Sequence, residues 1–182
     1  MSIKGMSVAL FSLCAIFMSV HESRAASAPE IDAEVHETLE RFFYKVGGAR
    51  ELASKAAGIL VFPSIVKAGI GFGGEYGEGA LLIHGRNAGY YNSVSASFGF
   101  QLGVQARSVI IAFMTPEALE QFRLTAGWKV GVDGSVAIIT VGVGGSVDTN
   151  KITSPVVGFV LDPKGLMYNL TLEGSKISRI SK

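Results

Sequence analysis

The stretch SVSASFGFQLGVQA, Ser93 to Ala106, sets Val94, Ala96, Phe98, Phe100, Leu102, Val104 and Ala106 against Ser93, Ser95, Ser97, Gly99, Gln101, Gly103 and Gln105. A period of two sustained over that length predicts a β-strand. At about 3.3 Å per residue the strand would be roughly 43 Å long, so a bend at Gly99 or Gly103 is expected.

Upstream, AGIGFGGEYGEG (Ala68 to Gly79) places Gly69, Gly71, Gly73, Gly77 and Gly79 on alternate positions, with Ile70, Phe72 and Tyr76 on the other side. Gly69 to Gly74 satisfies GxGxxG, but a dinucleotide fingerprint needs a helix immediately after it and an acid about 20 residues on. Here the glycines run into Ala80-Leu81-Leu82-Ile83, another strand, and no Asp or Glu lies between Glu78 and Glu117. The stretch is therefore a strand with one nearly bare face. Two explanations stay open: a tightly curved sheet, or a groove lined by this face and the small residues of Ser93–Gln105, where an acyl chain or a partner segment lies.

On either side of these strands the period changes. Ile31, Val35, Leu39, Phe42 and Val46 recur at helical spacing behind Pro29, with acids in the first turns. Gly47-Gly48 interrupts this amphipathic helix, and a second short helix runs through Ala57 with Gly58 as its cap. Ile59–Phe62, closed by Pro63, and Ile65–Ile83 read as successive strands; Val109–Met114 reads as a strand buried on both faces. Thr115-Pro116-Glu117 starts a helix that ends near Gly127. Strands follow over Lys129–Val147 and Pro155–Glu173, the latter a pair joined by a type I turn at Asp162-Pro163-Lys164-Gly165. The fold class is α+β: a curved, mainly antiparallel sheet or small barrel, with N-terminal helices and one mid-chain helix packed to one side or end of it.

The chain has 182 residues, 48% hydrophobic and 17% charged, which is one domain's worth with material for a core. Lys4, the apolar run Met6–Val20 and the small residues of Ser23-Arg24-Ala25 or Ala26-Ser27-Ala28 predict a signal peptide over residues 1–28 and a domain over 29–182. Export to the periplasm or the exterior follows, with the mature N-terminus between Ala26 and Pro29. The single cysteine, Cys14, falls in the leader, so the mature chain can form no disulfide, thiolate nucleophile or cysteine-ligated zinc. From Arg41 onward, 14 basic residues face 9 acidic ones, too weak an excess for nucleic acid to be the partner.

The runs GILVFPSIVKAGIGFGGEYGEGALL, GYYNSVSASFGFQLGVQ, VIIAFMT and GLMYNLTLEGSKISRI, in that order, resemble the SYLF domain family over nearly everything from Ser54 onward. The resemblance implies a lipid-binding module. Eukaryotic relatives bind phosphoinositide membranes and some fungal ones bundle actin, while secreted bacterial relatives, which an exported chain resembles, have no settled biochemical role. In the phosphoinositide binders an amphipathic segment ahead of the domain aids membrane contact; the corresponding segment here is acidic.

Chemistry has few candidates. His36 reads as a helix-surface residue and His84 as a turn residue; with only these two outside the leader, no histidine metal site is expected, nor any cofactor. Glu75 and Glu78 point to opposite faces of an extended strand, so they cannot act together as acid and base, and no catalysis is expected. For binding, the candidates are Arg41, Lys45, Arg50, Lys55 and Lys67, interrupted only by Glu51, with Phe43 and Tyr44 on the same helix, and Gly69, Gly71 and Gly73 on the bare strand face. Cations beside aromatics suit an anionic phospholipid surface. Trp128 is expected in the core, with membrane anchoring as its alternative, and the sequon Asn169-Leu170-Thr171 is coincidental in a strand. Two functions remain: an exported, non-enzymatic lipid- or membrane-binding module, and a structural or protein-interaction domain that docks a partner on its glycine-faced strands.

Overall fold

A computed structural model describes residues 26–140, 146–148, 152–164, 172 and 174–182, with the backbone alone described at 69–72, 97–103, 140 and 162–164. Residues 1–25 of the expected leader, most of the second arm of the expected C-terminal hairpin and the sequon lie outside the described residues.

Helix α1 spans Ala28–Lys45 and α2 spans Ala49–Lys55. Ser27 caps α1: its backbone N–H and its hydroxyl both donate to the Glu30 carboxylate at 2.7 Å, near helix N–H groups that lack an internal partner. The predicted stripe is the buried one, with Ile31, Val35, Leu39 and Phe42 at most 8% exposed. Each such side chain stabilises the fold by about 1.5–3 kcal/mol on the transfer scale.

Strands β1 (Gly58–Ile83) and β2 (Arg86–Phe113) form one long hairpin. The sequence suggested shorter strands at Pro63 and Arg107, but the chain stays paired through both. Pro63 has no N–H to give a ladder, and the register slips there, from Phe62↔Val109 to Ile65↔Arg107, so the proline sits in a bulge. A second shift takes Ile70↔Leu102 to Phe72↔Phe98 and contains Gly99, the expected bend. His84 and Gly85 close the hairpin with φ of 50° and 73°, the left-handed pair of a type I′ turn.

Helix α3 (Pro116–Leu124) is capped by Thr115, whose hydroxyl accepts from the Ala118 N–H at 3.2 Å. Strands β3 (Trp128–Lys129), β4 (Ala137–Thr140), β5 (Val156–Lys164) and β6 (Lys176–Ile180) complete a six-stranded sheet among the described residues. It is antiparallel except where β4 pairs with β5. The expected turn at Asp162–Gly165 is corrected here: Lys164 is still paired, to Ala106, and β6 pairs Lys176 with Val94 and Ile180 with Tyr90. Strands β5 and β6 thus run in the same direction along one edge of β2. Turn-forming residues lost to a ladder that offered partners to their backbone.

Alternate residues of β2 feed two cores. Val109, Ile111 and Phe113 join Leu60, Phe62, Leu119, Phe122 and Trp128; Ile110 and Ala112 join Ile31, Val35, Leu39, Phe42, Val61 and Phe159. Helices α1 and α2 therefore lie on one face of the sheet and α3 on the other, which corrects the expectation of helices on one side. Trp128, 2% exposed and edge-on to Phe122 at 5.5 Å, is a core residue and no membrane anchor.

Candidate functional site

The alternating glycines are explained first by curvature. A Cβ on Gly79 would collide with the Val61 carbonyl oxygen, and one on Gly77 would lie 2.6 Å from the Ser64 carbonyl oxygen. Strand β1 curls so far that its last third faces its first, and only a residue without a side chain fits. At these two positions the bare face is filled by the strand's own backbone, so no acyl chain can lie there.

Between the ends of that curl, the hairpin's middle is inverted in polarity. On the face that continues from α1, Val66, Tyr76, Val94 and Val104 are 39%, 49%, 45% and 73% exposed, and Ala68 and Ala96 lie exposed beside them. The pairs Tyr76↔Val94 and Ala68↔Val104 put these side chains on one surface. The inside face carries the charges. Glu75 is 7% exposed; its carboxylate accepts from the Arg107 guanidinium at 2.6 Å and lies 3.4 Å from the Lys67 ammonium, with Ser93 also buried. A one-faced sheet ordinarily turns its apolar residues in and its polar residues out. Here Val94, Ala96 and Val104 look outward.

A second concavity, a groove of about 650 Å³, separates α1 and α2 from the hairpin tip. Val35, Leu39, Ala56, Ile59 and Leu82 give it apolar walls, and Asp32, His36, Glu40 and His84 ring it. Asp32 is held there by Asn87 Nδ2 at 2.6 Å and the Tyr90 hydroxyl at 2.9 Å. Burial and then the Asp32 charge and hydrogen bond keep the Tyr90 phenol protonated above its ordinary range.

The sequence-predicted cations do not converge on one surface. Arg41 contacts Glu37, Thr38 and Ser108; Arg50 pairs with Glu40 at 2.9 Å and covers the Phe43 ring at 4.6 Å; Lys55 pairs with Glu51 at 2.6 Å. Lys45 sits half-buried in the last turn of α1, and Tyr44 is 91% exposed. Lys67 belongs to β1 and to the internal charge cluster, apart from the helix. Gly69, Gly71 and Gly73 lie in the hairpin's middle, where Gly69 pairs with Gly103 and Gly73 with Ser97. Of these ten residues only Phe43 lines the groove. Sequence reasoning missed Val66, Val104 and the groove walls: a period of two identifies the two faces of a strand but not which one a neighbour covers. Among the described residues no helix is long and apolar enough to cross a membrane.

Residues 94–182 match the family described as Ysc84: Las17-binding protein actin regulator, the family of the SYLF domain. The match begins on Val94 and takes in the second half of β2, α3 and every later strand. No curated protein matches the chain.

Proposed function

We propose that this chain, which belongs to the SYLF domain family, is a non-enzymatic binding module that meets lipid membranes after export from the cytoplasm. The observation that carries the lipid reading is the inverted ribbon. Val66, Tyr76, Val94 and Val104 form an outward apolar surface over a buried ion cluster, an arrangement that costs stability in water and is repaid in contact with hydrocarbon. Arg50 and Lys55 are already balanced by Glu40 and Glu51 and Lys45 is partly covered, so the apolar surface supplies the larger share of the affinity.

Liposome flotation of the mature protein tests this. Val104→Asp with Val94→Asp should abolish retention on anionic and neutral vesicles alike while leaving the circular dichroism spectrum unchanged, because both side chains already face water. Retention that survives this pair but falls with salt, or with Lys45→Glu and Arg50→Glu, would move the site to the helix cations, whose fields are screened within about 8 Å at physiological ionic strength. No binding to either vesicle would remove the lipid reading.

A second reading, a protein partner, draws on the family description, which names a protein-binding regulator, and on β1. Among the described residues β1 pairs with β2 alone, so its other edge could accept an added strand. Proline substitution at exposed β1 positions would block such an addition without touching the apolar surface.

A further inference from the structure

Glu78 is a part-buried carboxylate whose partners come from both ends of the described chain. Its side chain is 11% exposed and that of Lys182 is 10% exposed. The Lys182 ammonium donates to Glu78 Oε2 at 2.8 Å and to the Ala26 carbonyl oxygen at 2.9 Å; the Tyr76 hydroxyl donates to Glu78 Oε1 at 2.7 Å. The Lys182 ammonium thus bridges the Ala26 main chain to this carboxylate, and the Ala26 backbone contributes to lowering its pKa. Ala26 is half-buried against the α1 core cluster. Ala26 therefore has its carbonyl on the same ammonium that holds Glu78, two residues ahead of the helix and next to its Ser27 cap.

The Ala26 nitrogen has a chemistry of its own. Ser23 and Ala25 put small residues at the two positions a signal peptidase reads ahead of the Ala25–Ala26 bond. Hydrolysis there adds water across the amide: hydroxyl to the Ala25 carbonyl, hydrogen to the Ala26 nitrogen, which takes up a proton and becomes an ammonium. Cleavage after Ala28, the other small-residue site, would instead discard Ala26 with its contact to Lys182, and Ser27 with the capping interaction to Glu30.

We infer that the chain is cleaved between Ala25 and Ala26 and that Glu78 is the seat of the new N-terminus, which places a charge-assisted donor where a neutral amide stood. The inference rests on the export reading for its enzyme, though not for its geometry. A carboxylate has about four lone-pair positions, and Lys182 and Tyr76 occupy one on each oxygen, so positions remain for the ammonium. An ammonium donor makes a shorter and roughly twofold stronger bond than an amide. The groups facing it are Glu78, Lys182 and Tyr76; Lys182 has the same sign and moderates the gain.

Two measurements separate the inference from the export reading. N-terminal sequencing of exported protein should give Ala26; a start at Ser27, Ala28 or Pro29 overturns the inference, and an exported chain that begins at Met1 overturns it together with the processing half of the export reading. Independently of export, protein released from a carrier with Ala26 as its first residue contains every residue of both core clusters. Its α-amino pKa should lie at least about one unit above the ordinary 7.7–8.0. N-acetylation should lower its Tm by about 3 °C. Glu78→Gln should remove both effects, whereas Lys182→Met, which takes away the like charge, should preserve them. An ordinary amine pKa with no effect of acetylation overturns the inference, whether or not Glu78→Gln folds.

Discussion

Two parts of one sheet face have opposite fates. At the ends of the curled hairpin the face bearing Val61, Ala80, Ile110 and Ala112 is sealed by α1 and reaches 0% exposure. In the middle the same face bears Val66, Tyr76, Val94 and Val104, at 39–73%. Both parts have the same alternation and the same strand partner, so strand pattern alone decides neither. What differs is the neighbour: α1 packs on the sealed part and reaches Ser108 through Arg41, whereas Val66, Val94 and Val104 stay exposed. Burial is set by what a helix can span, and the hairpin is longer than the helix.

The largest expected effect that tests this contrast is at the sealed part. Phe159 is 0% exposed and packs on Phe42 at a centroid distance of 4.9 Å, so Phe159→Ala should cost about 3–5 kcal/mol in urea unfolding. A cost near zero would mean that α1 does not seal the face in solution. Next comes the curl. Gly79→Ala should cost about 1–3 kcal/mol, since its methyl would meet the Val61 main chain, which cannot rotate away. At Gly74 the nearest atom is the Ser95 carbonyl oxygen at 3.8 Å, so Gly74→Ala should stay within about 0.5 kcal/mol. Equal costs at the two glycines would deny that the strand folds back on itself.

A smaller effect concerns pH. Burial by itself would raise the Glu78 carboxyl pKa, but the hydrogen bonds from Lys182 and Tyr76 and the Lys182 charge outweigh it and hold the value below the ordinary carboxylate range. A group depressed in the folded state contributes stability that is complete above its unfolded pKa and lost as pH falls through the folded one. Wild type should therefore lose stability more steeply than Glu78→Gln below about pH 4.3. Parallel curves, followed by thermal melts across that range, would show the contact to be idle. The smallest effect is on the open ribbon: Val104→Thr should leave stability within about 0.5 kcal/mol, because the side chain is 73% exposed, yet weaken vesicle binding measurably. A loss of several kcal/mol there would mean that the ribbon is covered and the contrast false.

Much of this was legible in the sequence. The α1 stripe, the two-faced burial of Val109–Phe113, the Thr115 cap and the turn at His84 each rest on local chemistry, and local chemistry decided them. Three features depended on distant partners. Pro63 reads as a strand end, and only the slack of a bulge against Arg107 lets the ladder pass it. Asp162-Pro163-Lys164 has turn composition, but the vacant edge of β2 held those residues extended. The cations from Arg41 to Lys55 read as a free basic face, whereas Glu37, Glu40 and Glu51 neutralise it from positions on the helices that a linear count of sign does not pair. Exposed pairs of this kind contribute only about 0.2–1 kcal/mol each, but they remove net charge from the surface.

The shared edge of β2 also imposes an order of assembly. The hairpin's strands are consecutive and can pair as soon as Phe113 is made, but the opposite edge of β2 receives Val156–Lys164 and then, at Tyr90, Ile180. A chain made from its N-terminus carries that edge open until Ile180 is made, and an open strand edge is where chains join one another by mistake. Pulsed hydrogen exchange during refolding should show amides of the β1–β2 ladder protected before those of Lys176–Ile180. Loss of a few C-terminal residues, too few to empty either core, should then be felt first as aggregation of newly made chains.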